Sequence, residues 1–337
     1  MVAERNHSML VFLQGFVVHG DYRYGDGENI IHLDTRKFHA RLPDRDKLID
    51  EDEQLERIDA CLQEVWKAKL SRAKSELTAV KFVERYFEAA SRWRLVELFD
   101  DVPALPASLF ERIVGYPIQE GYRDPEYLKR FERTVSKEDI EQGRIKLVAM
   151  DSVYDERIAH WMYARGRGLT VFQSGGLTEK HWAHPFVRQL CDEECEVEIL
   201  GETVREKLEG TFISPDVAIC EAYAIRVGED RVVIRDEGMY CHEDDVILVP
   251  ENETSGQAVR QVSDYVDSDE HWHHEDEEGD ANALKDLVLL LRAKDPKQAL
   301  ESLLADLKLE RYPSLRGKVF TLKVGSSADR HLIELLA

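Results

Sequence analysis

The stretch that most constrains this chain runs from Ile30 to Leu70. Ile30–Leu33 reads as a short apolar strand, and a turn carrying Asp34-Thr35-Arg36-Lys37 follows. Phe38–Leu42 reads as a further short strand. The apolar period then changes from two to 3.6. Leu55, Ile58, Leu62, Val65, Trp66 and Leu70 fall on one helical stripe. Asp50 stands at the N-cap position with Glu53 three residues on, a capping-box spacing in which Asp replaces Ser or Thr. Such a stripe has to be buried against other elements. Upstream, the ten-residue apolar run Met9–Val18 is interrupted by Gln14 and Gly15 and has no small-x-small cleavage site. It reads as a buried strand, not a signal peptide.

Beyond residue 75 the pattern predicts a helix over Val80–Phe99, ended by the Val102–Pro106 segment, and then a loop-rich stretch to about Arg130. Ile145–Met150 and Leu169–Phe172 read as strands flanking a helix over Val153–Ala164. Thr178–Leu190 has helical spacing around Pro185, which kinks it or delays its start. Short strands fill Val197–Val249, with Val217–Val227 and Arg231–Arg235 joined through Gly228-Glu229-Asp230 as a hairpin. Pro250–Asp280 is poor in apolar residues and reads as an acidic linker. Ala281–Ala293 and Pro296–Leu307 are a closing helical pair, Lys318–Val324 a strand and Ala328–Leu336 a last helix. The expected class is mixed α+β in three layers. The expected segments are a β-β-β-α module at 1–75, a helical connector at 76–143, an α/β middle domain at 144–250, a linker at 251–280 and a helical/β end at 281–337.

Charge narrows the partners. The chain has 337 residues, 67 acids, 45 Lys and Arg, and a net charge of -22. Nine of the acids lie in Asp264–Asp280, which holds no Lys or Arg, so about -13 remains elsewhere. That balance argues against nucleic acid as the main partner and against anionic membranes. A local basic patch is carried by Arg157, Arg165 and Arg167 among Trp161 and Tyr163. No run approaches the roughly 18 apolar residues of a membrane span. Five cysteines, an odd number in a long chain, do not read as a disulfide framework, so a cytoplasmic location is expected.

No self-sufficient catalytic motif is present. His181-x2-His184-x6-Cys191-x3-Cys195 offers four zinc-ligating groups, but the spacing fits no standard knuckle, and zinc is not expected. The run Asp269-Glu270-His271-Trp272-His273-His274-Glu275-Asp276 is of a type that binds divalent metals weakly. Gly166-Arg167-Gly168 and Ser174-Gly175-Gly176 match neither phosphate-loop pattern. Asp151, Asp155 and Glu156 are acids at an expected helix start.

The words from Val11 to Leu70, above all IIHLDTRKFHARLPDRDKLIDEDEQLERIDACLQEVWKAKL, resemble the transducer domain of GHKL-type ATPases. That superfamily holds gyrase B, MutL, the ninety-kilodalton heat-shock chaperone and divergent phage rIIA-type proteins. The likeness covers about 60 residues and extends weakly to about residue 120. It implies a loop lysine that reaches the ATP γ-phosphate held by a preceding domain. Residue by residue, that lysine falls on Lys37, with Arg36 and Arg41 as neighbours able to substitute. Of the family's nucleotide site, an E-x-x-x-N helix and a D-x-G-x-G turn, neither part is expected in this chain. Asp236-Glu237-Gly238 lacks the second glycine. The resemblance therefore implies that this chain holds no cofactor itself. ATP and Mg would enter through a separate ATP-binding domain or protein partner, and a homodimer is a further expectation. Two other classes stay open: a structural or interaction protein of a large, phage-like assembly, and a metal-dependent enzyme.

Overall fold

The computed structural model describes residues 9–20, 29–41, 47–118, 127–150, 158–266, 271–293, 295–305, 309–324 and 332–336. Among them, seven α-helices and nineteen strands in several small sheets make the chain α+β, as its patterning predicts. Two compact units result: residues 1–198 with 224–233, and residues 199–223 with 234–337. No helix among the described residues is long and apolar enough to cross a membrane.

The first unit opens with a correction. Gln14 and Gly15 both have positive φ, 53° and 83°. A two-residue turn of that kind follows the twist of paired strands. The expected single strand is thus a hairpin, β1 (Met9–Leu13) and β2 (Phe16–His19). β3 (Asn29–Leu33) lies parallel to β1 on its other side, with Val11 opposite Ile31. The described part of the expected Phe38–Leu42 strand makes only an isolated bridge, Ala40 with Leu48, and Leu42 lies outside the described residues.

Helix α1 (Glu51–Glu76) buries Ile58, Leu62, Trp66, Leu70 and Ala73. Ile58, Leu62 and Leu70 each contribute roughly 1.5–3 kcal/mol of apolar burial. Val65, expected on the stripe, is half exposed. Asp50 occupies the N-cap, but its left-handed backbone (φ 54°) goes with no side-chain cap bond. The acids Glu51, Asp52 and Glu53 instead face the positive end of the helix dipole. α2 (Ala79–Arg92) ends short of the expected Phe99, because Arg94 turns left-handed and Val96–Phe99 winds as a 3-10 turn. Trp66 stacks on Trp93 at 6.3 Å and Phe82 on Phe99 at 4.5 Å. One apolar core runs from Val11 through both helices to Phe172 and Ala183.

Two short strands, β4 (Ala104–Leu105) and β7 (Val135–Ser136), pair beside α3 (Lys137–Glu141), whose N-terminus Ser136 caps. A five-stranded sheet uses β5 (Phe110–Ile113), β6 (Leu128–Arg130), β8 (Leu147–Met150), β9 (Thr170–Phe172) and β10 (Val187–Leu190) in the order β10-β8-β9-β5-β6. β8 is parallel to both β9 and β10, and α4 (Ala159–Gly166) lies between β8 and β9 in the chain, as a parallel connection requires. The helix expected over Thr178–Leu190 does not form. Pro185 sits in a 3-10 turn, and Val187–Leu190 pairs with β8 as an edge strand. β11 (Cys195–Leu200), β14 (Ala222–Val227) and β15 (Asp230–Ile234) form a three-stranded sheet, and Gly228 (φ 63°) lies between β14 and β15 where the turn was expected.

The second unit is built on β12 (Val204–Lys207), β13 (Asp216–Cys220), β16 (Met239–Cys241) and β17 (Val246–Pro250), in the order β12-β13-β17-β16. β13 and β17 are parallel, and β17 is buried along its whole length, as a central strand covered on both faces would be. α5 (Val259–Val262), α6 (His274–Arg292) and α7 (Pro296–Ala305) follow. β18 (Phe320–Lys323) pairs antiparallel with β19 (Leu332–Leu335), so the helix expected at Ala328–Leu336 is not formed over its described part.

The acidic linker is the largest correction. Tyr265, Gln261 and Asp280 are fully buried, and α6 begins inside the acidic run. The Asp280 carboxylate accepts from Thr211 N (2.5 Å), Thr211 Oγ1 (3.0 Å), Phe212 N (3.2 Å), Ile213 N (3.1 Å) and the Tyr265 hydroxyl (3.0 Å). Burial, with the Asp280 charge second, pushes the Tyr265 phenol far up, so it remains a donor. A composition-based reading counts Asp280 as solvated charge, whereas the fold uses it as the internal acceptor for a loop. Asp280→Ala should orphan two buried donors, Ile213 N and the Tyr265 hydroxyl, and cost about 3 kcal/mol or more in urea unfolding. Glu278→Ala, two residues away and exposed, should stay within about 0.5 kcal/mol.

Candidate functional site

The turn after β3 is tightly made. Lys37 N and Phe38 N both donate to Asp34 O, at 2.9 and 3.1 Å. The Asp34 carboxylate accepts from Arg36 through the backbone N (3.0 Å), Nε (3.1 Å) and a terminal guanidinium nitrogen (2.8 Å). The Arg36 hydrogen bonds hold Asp34 below the ordinary carboxylate range, and Asp34 raises Arg36 in return. The turn is therefore stapled from within, and the staple consumes Arg36. Lys37 is exposed and makes no ion pair or side-chain hydrogen bond among the described residues. Arg41 is also exposed, and its backbone N donates to Lys47 O at 2.8 Å.

The turn is tied to the start of α1. Ile49 N donates to His39 O at 2.9 Å, Ala40 bridges Leu48, and the Arg57 guanidinium lies 5.5 Å from the Phe38 ring centroid. Leu48 is fully buried. Of the three cations singled out in the sequence, the structure thus commits Arg36 to Asp34 and leaves Lys37 presented at the tip.

The other candidates do not assemble. His181 is buried, its Nδ1 accepts from Ala183 N at 3.1 Å, and burial lowers its pKa against the opposing charge of Asp100. His184 Nε2 meets Thr178 O at 2.8 Å, and Cys195 Sγ donates to Cys191 O at 3.7 Å. Among the described residues no group of three or more His, Cys, Asp or Glu side chains is placed to hold a metal ion. His273 pairs with Asp276 at 3.1 Å, while Asp269 and Glu270 lie outside the described residues, as do Asp151, Asp155, Glu156 and Arg157. Arg165 donates to Gly115 O (2.7 Å) and Arg167 to Arg231 O (3.1 Å) and Asp230, so neither is held out as part of a basic patch. Burial raises the Cys220 thiol to about 11 and raises Cys241 too, the wrong direction for a nucleophile.

Contrary to the expectation that neither part of the family's nucleotide site is present, the spacing Glu278-x3-Asn282 does occur, in α6, but both side chains are exposed and no D-x-G-x-G follows. A cavity of about 160 Å³ in the second unit is walled by Val249, Ala258, Leu284 and Val288 with Glu253 and Arg292. Glu253 is already engaged by Ser255 N and Oγ (both 2.5 Å) and Gly238 N (3.2 Å), and Arg292 by the carbonyls of Glu253 (2.8 Å) and Pro250 (2.6 Å). That carboxylate is a structural acceptor, not a free general base. The stretch expected to be loop-rich contains a basic hairpin, β5 paired with β6, and the run Lys129-Arg130-Phe131-Glu132-Arg133 is its signal in the sequence.

Comparison with known protein families, with characterised proteins and with solved structures returns no match.

The His181 environment generates a pH dependence. Its folded pKa lies below that of the unfolded chain, so the unfolded state takes up the proton first on acidification. The stability it contributes is present above about pH 6.5 and is lost as pH falls towards the lowered folded value. Urea midpoints of the wild type and His181→Gln should therefore differ most near pH 7.5, and the gap should narrow by pH 5.5.

Proposed function

We propose that this chain is a transducer segment that couples an anionic, phosphate-bearing site on a separate nucleotide-binding domain to its own helical core. The observation that supports the reading best is the division of labour in the turn: Asp34 and Arg36 brace it while Lys37 is left uncommitted. An ammonium presented this way suits charge developing on a phosphoryl group. Bound ATP and Mg in the partner domain would supply that charge; this chain supplies a cation and a path. The path runs from Lys37 through Phe38 and the Ala40–Leu48 bridge to α1, whose buried stripe joins the core of the first unit. A displacement of the turn would then shift a packed helix.

Adding the chain to a GHKL-type nucleotide-binding domain should stimulate ATP turnover. Lys37→Ala should lower the stimulated rate about tenfold or more, by loss of a transition-state contact. Arg36→Ala should act more weakly, through the turn. Equal rates for wild type and Lys37→Ala would overturn the role of Lys37.

A second reading, an interaction protein of a larger assembly, draws on the C-terminal ribbon. β18 and β19 form a two-stranded sheet on which Phe320 and Leu335, paired in register, are both exposed, with Val324 and Leu336 exposed beside them. Two-stranded sheets are marginal alone. Sedimentation should show a concentration-dependent oligomer that Phe320→Ser/Leu335→Ser disperses; a monomer at all concentrations would count against it.

A further inference from the structure

The β5–β6 hairpin gathers positive charge in a chain of net charge -22. Its register sets Glu111 opposite Arg130 and Arg112 opposite Lys129. Successive side chains on a strand alternate faces, so the two pairs belong to opposite faces of the sheet. The first pair is complementary. Glu111 is 8% exposed, lies 3.5 Å from Arg130 Nε, and accepts from Gln173 Nε2 at 2.9 Å. The second pair sets two cations directly against each other, an arrangement that costs stability.

The other contacts hold that repulsive pair in place. The Arg112 guanidinium lies 4.5 Å from the Phe131 ring centroid, and Phe131 packs on Phe110 at 5.6 Å. A guanidinium stacked on a ring is fixed in orientation and keeps its in-plane N–H groups for an acceptor. Val114 N and Gly115 N both donate to Tyr127 O, at 2.8 and 3.2 Å, and Arg165 braces Gly115 O. Neither Arg112 nor Arg133 makes an ion pair among the described residues, and Lys129 has only exposed Glu132 at 3.8 Å. Arg112, Lys129, Arg130, Phe131, Glu132 and Arg133 line an open groove of about 460 Å³. Among the described residues Arg112, Lys129 and Arg133 thus meet one acid, Glu132, while Arg130 is paired with Glu111.

We propose that this groove binds a compact ligand carrying two or more phosphate groups. Its size is that of a small-molecule site rather than a polymer track. Paired phosphates would repay the Arg112–Lys129 repulsion through charge-assisted bonds, and an isolated carboxylate would leave most of the cations unmatched. The proposal does not rest on the transducer reading.

Calorimetric titration of the full chain with tripolyphosphate in 150 mM NaCl should show saturable one-to-one binding. Inorganic phosphate should bind about tenfold more weakly or less, and added salt should weaken both. Arg112→Gln/Lys129→Gln should weaken tripolyphosphate binding at least tenfold while the melting temperature holds or rises, because a like-charge pair is removed. Arg133→Gln, on the turn after β6, should weaken it severalfold without touching the sheet. Lys318→Gln/Lys323→Gln, a charge-matched change far along the chain, should leave it unaltered. Absence of tripolyphosphate binding overturns the proposal, as does binding of a single-stranded oligonucleotide alone. Should the double variant melt lower, Arg133→Gln decides, and unchanged affinity there overturns the proposal as well.

Discussion

Burial of one helical stripe carries the first unit. Ile58, Leu62, Trp66 and Leu70 point α1 into a core shared with β1, α2 and the segment through Phe99. Trp66 is fully buried and stacked on Trp93, and Lys69 lies over its ring at 4.5 Å. Val11, Leu13, Val18 and Leu48, all N-terminal to α1, are buried in the same core. Leu48 is pinned under the helix start, Ala40 is bridged to Leu48, and the Asp34–Lys37 turn follows within three residues. A surface turn is ordinarily free to fluctuate; this one is braced at both ends.

Charge in this molecule is spent locally. Asp280, Glu253, Glu111 and Asp34 are acids with fixed internal partners. Three of the four are buried, where an acceptor without donors would be costly. The overall excess of acid makes the places that break the pattern more informative. The Arg112–Lys129 pair stands against both the net charge and the usual cross-strand pairing. A local arrangement that costs stability while its surroundings hold it rigid is where a function is best sought.

The helical stripe of α1, the apolar strand β3 and the Gly228 turn were legible because period and turn chemistry are local properties. Asp50 was legible as the N-cap position but not as an uncapped one, since a left-handed φ is a backbone state that the residue type does not dictate. Gln14-Gly15 was readable as an interruption, yet whether an apolar run pauses or reverses depends on the partner strand available to it. For the candidate site, Lys37 was nameable from its place in the turn. That Arg36 is not its equal was hidden, because the fork to Asp34 exists only once the turn closes.

What the sequence determined by itself is the α+β class, the amphipathic helix after residue 50 and the cationic turn before it, all consequences of residue order within a few turns of chain. What only tertiary structure decided is which charges are free. Asp280, the last of the nine acids in its run, is an internal ligand because loop 211–213 and Tyr265 close on it. Arg112 and Lys129, seventeen positions apart, confront each other because two strands pair in that register. Free energy of a charge depends on its neighbours and its solvent, and neither is a property of the linear chain.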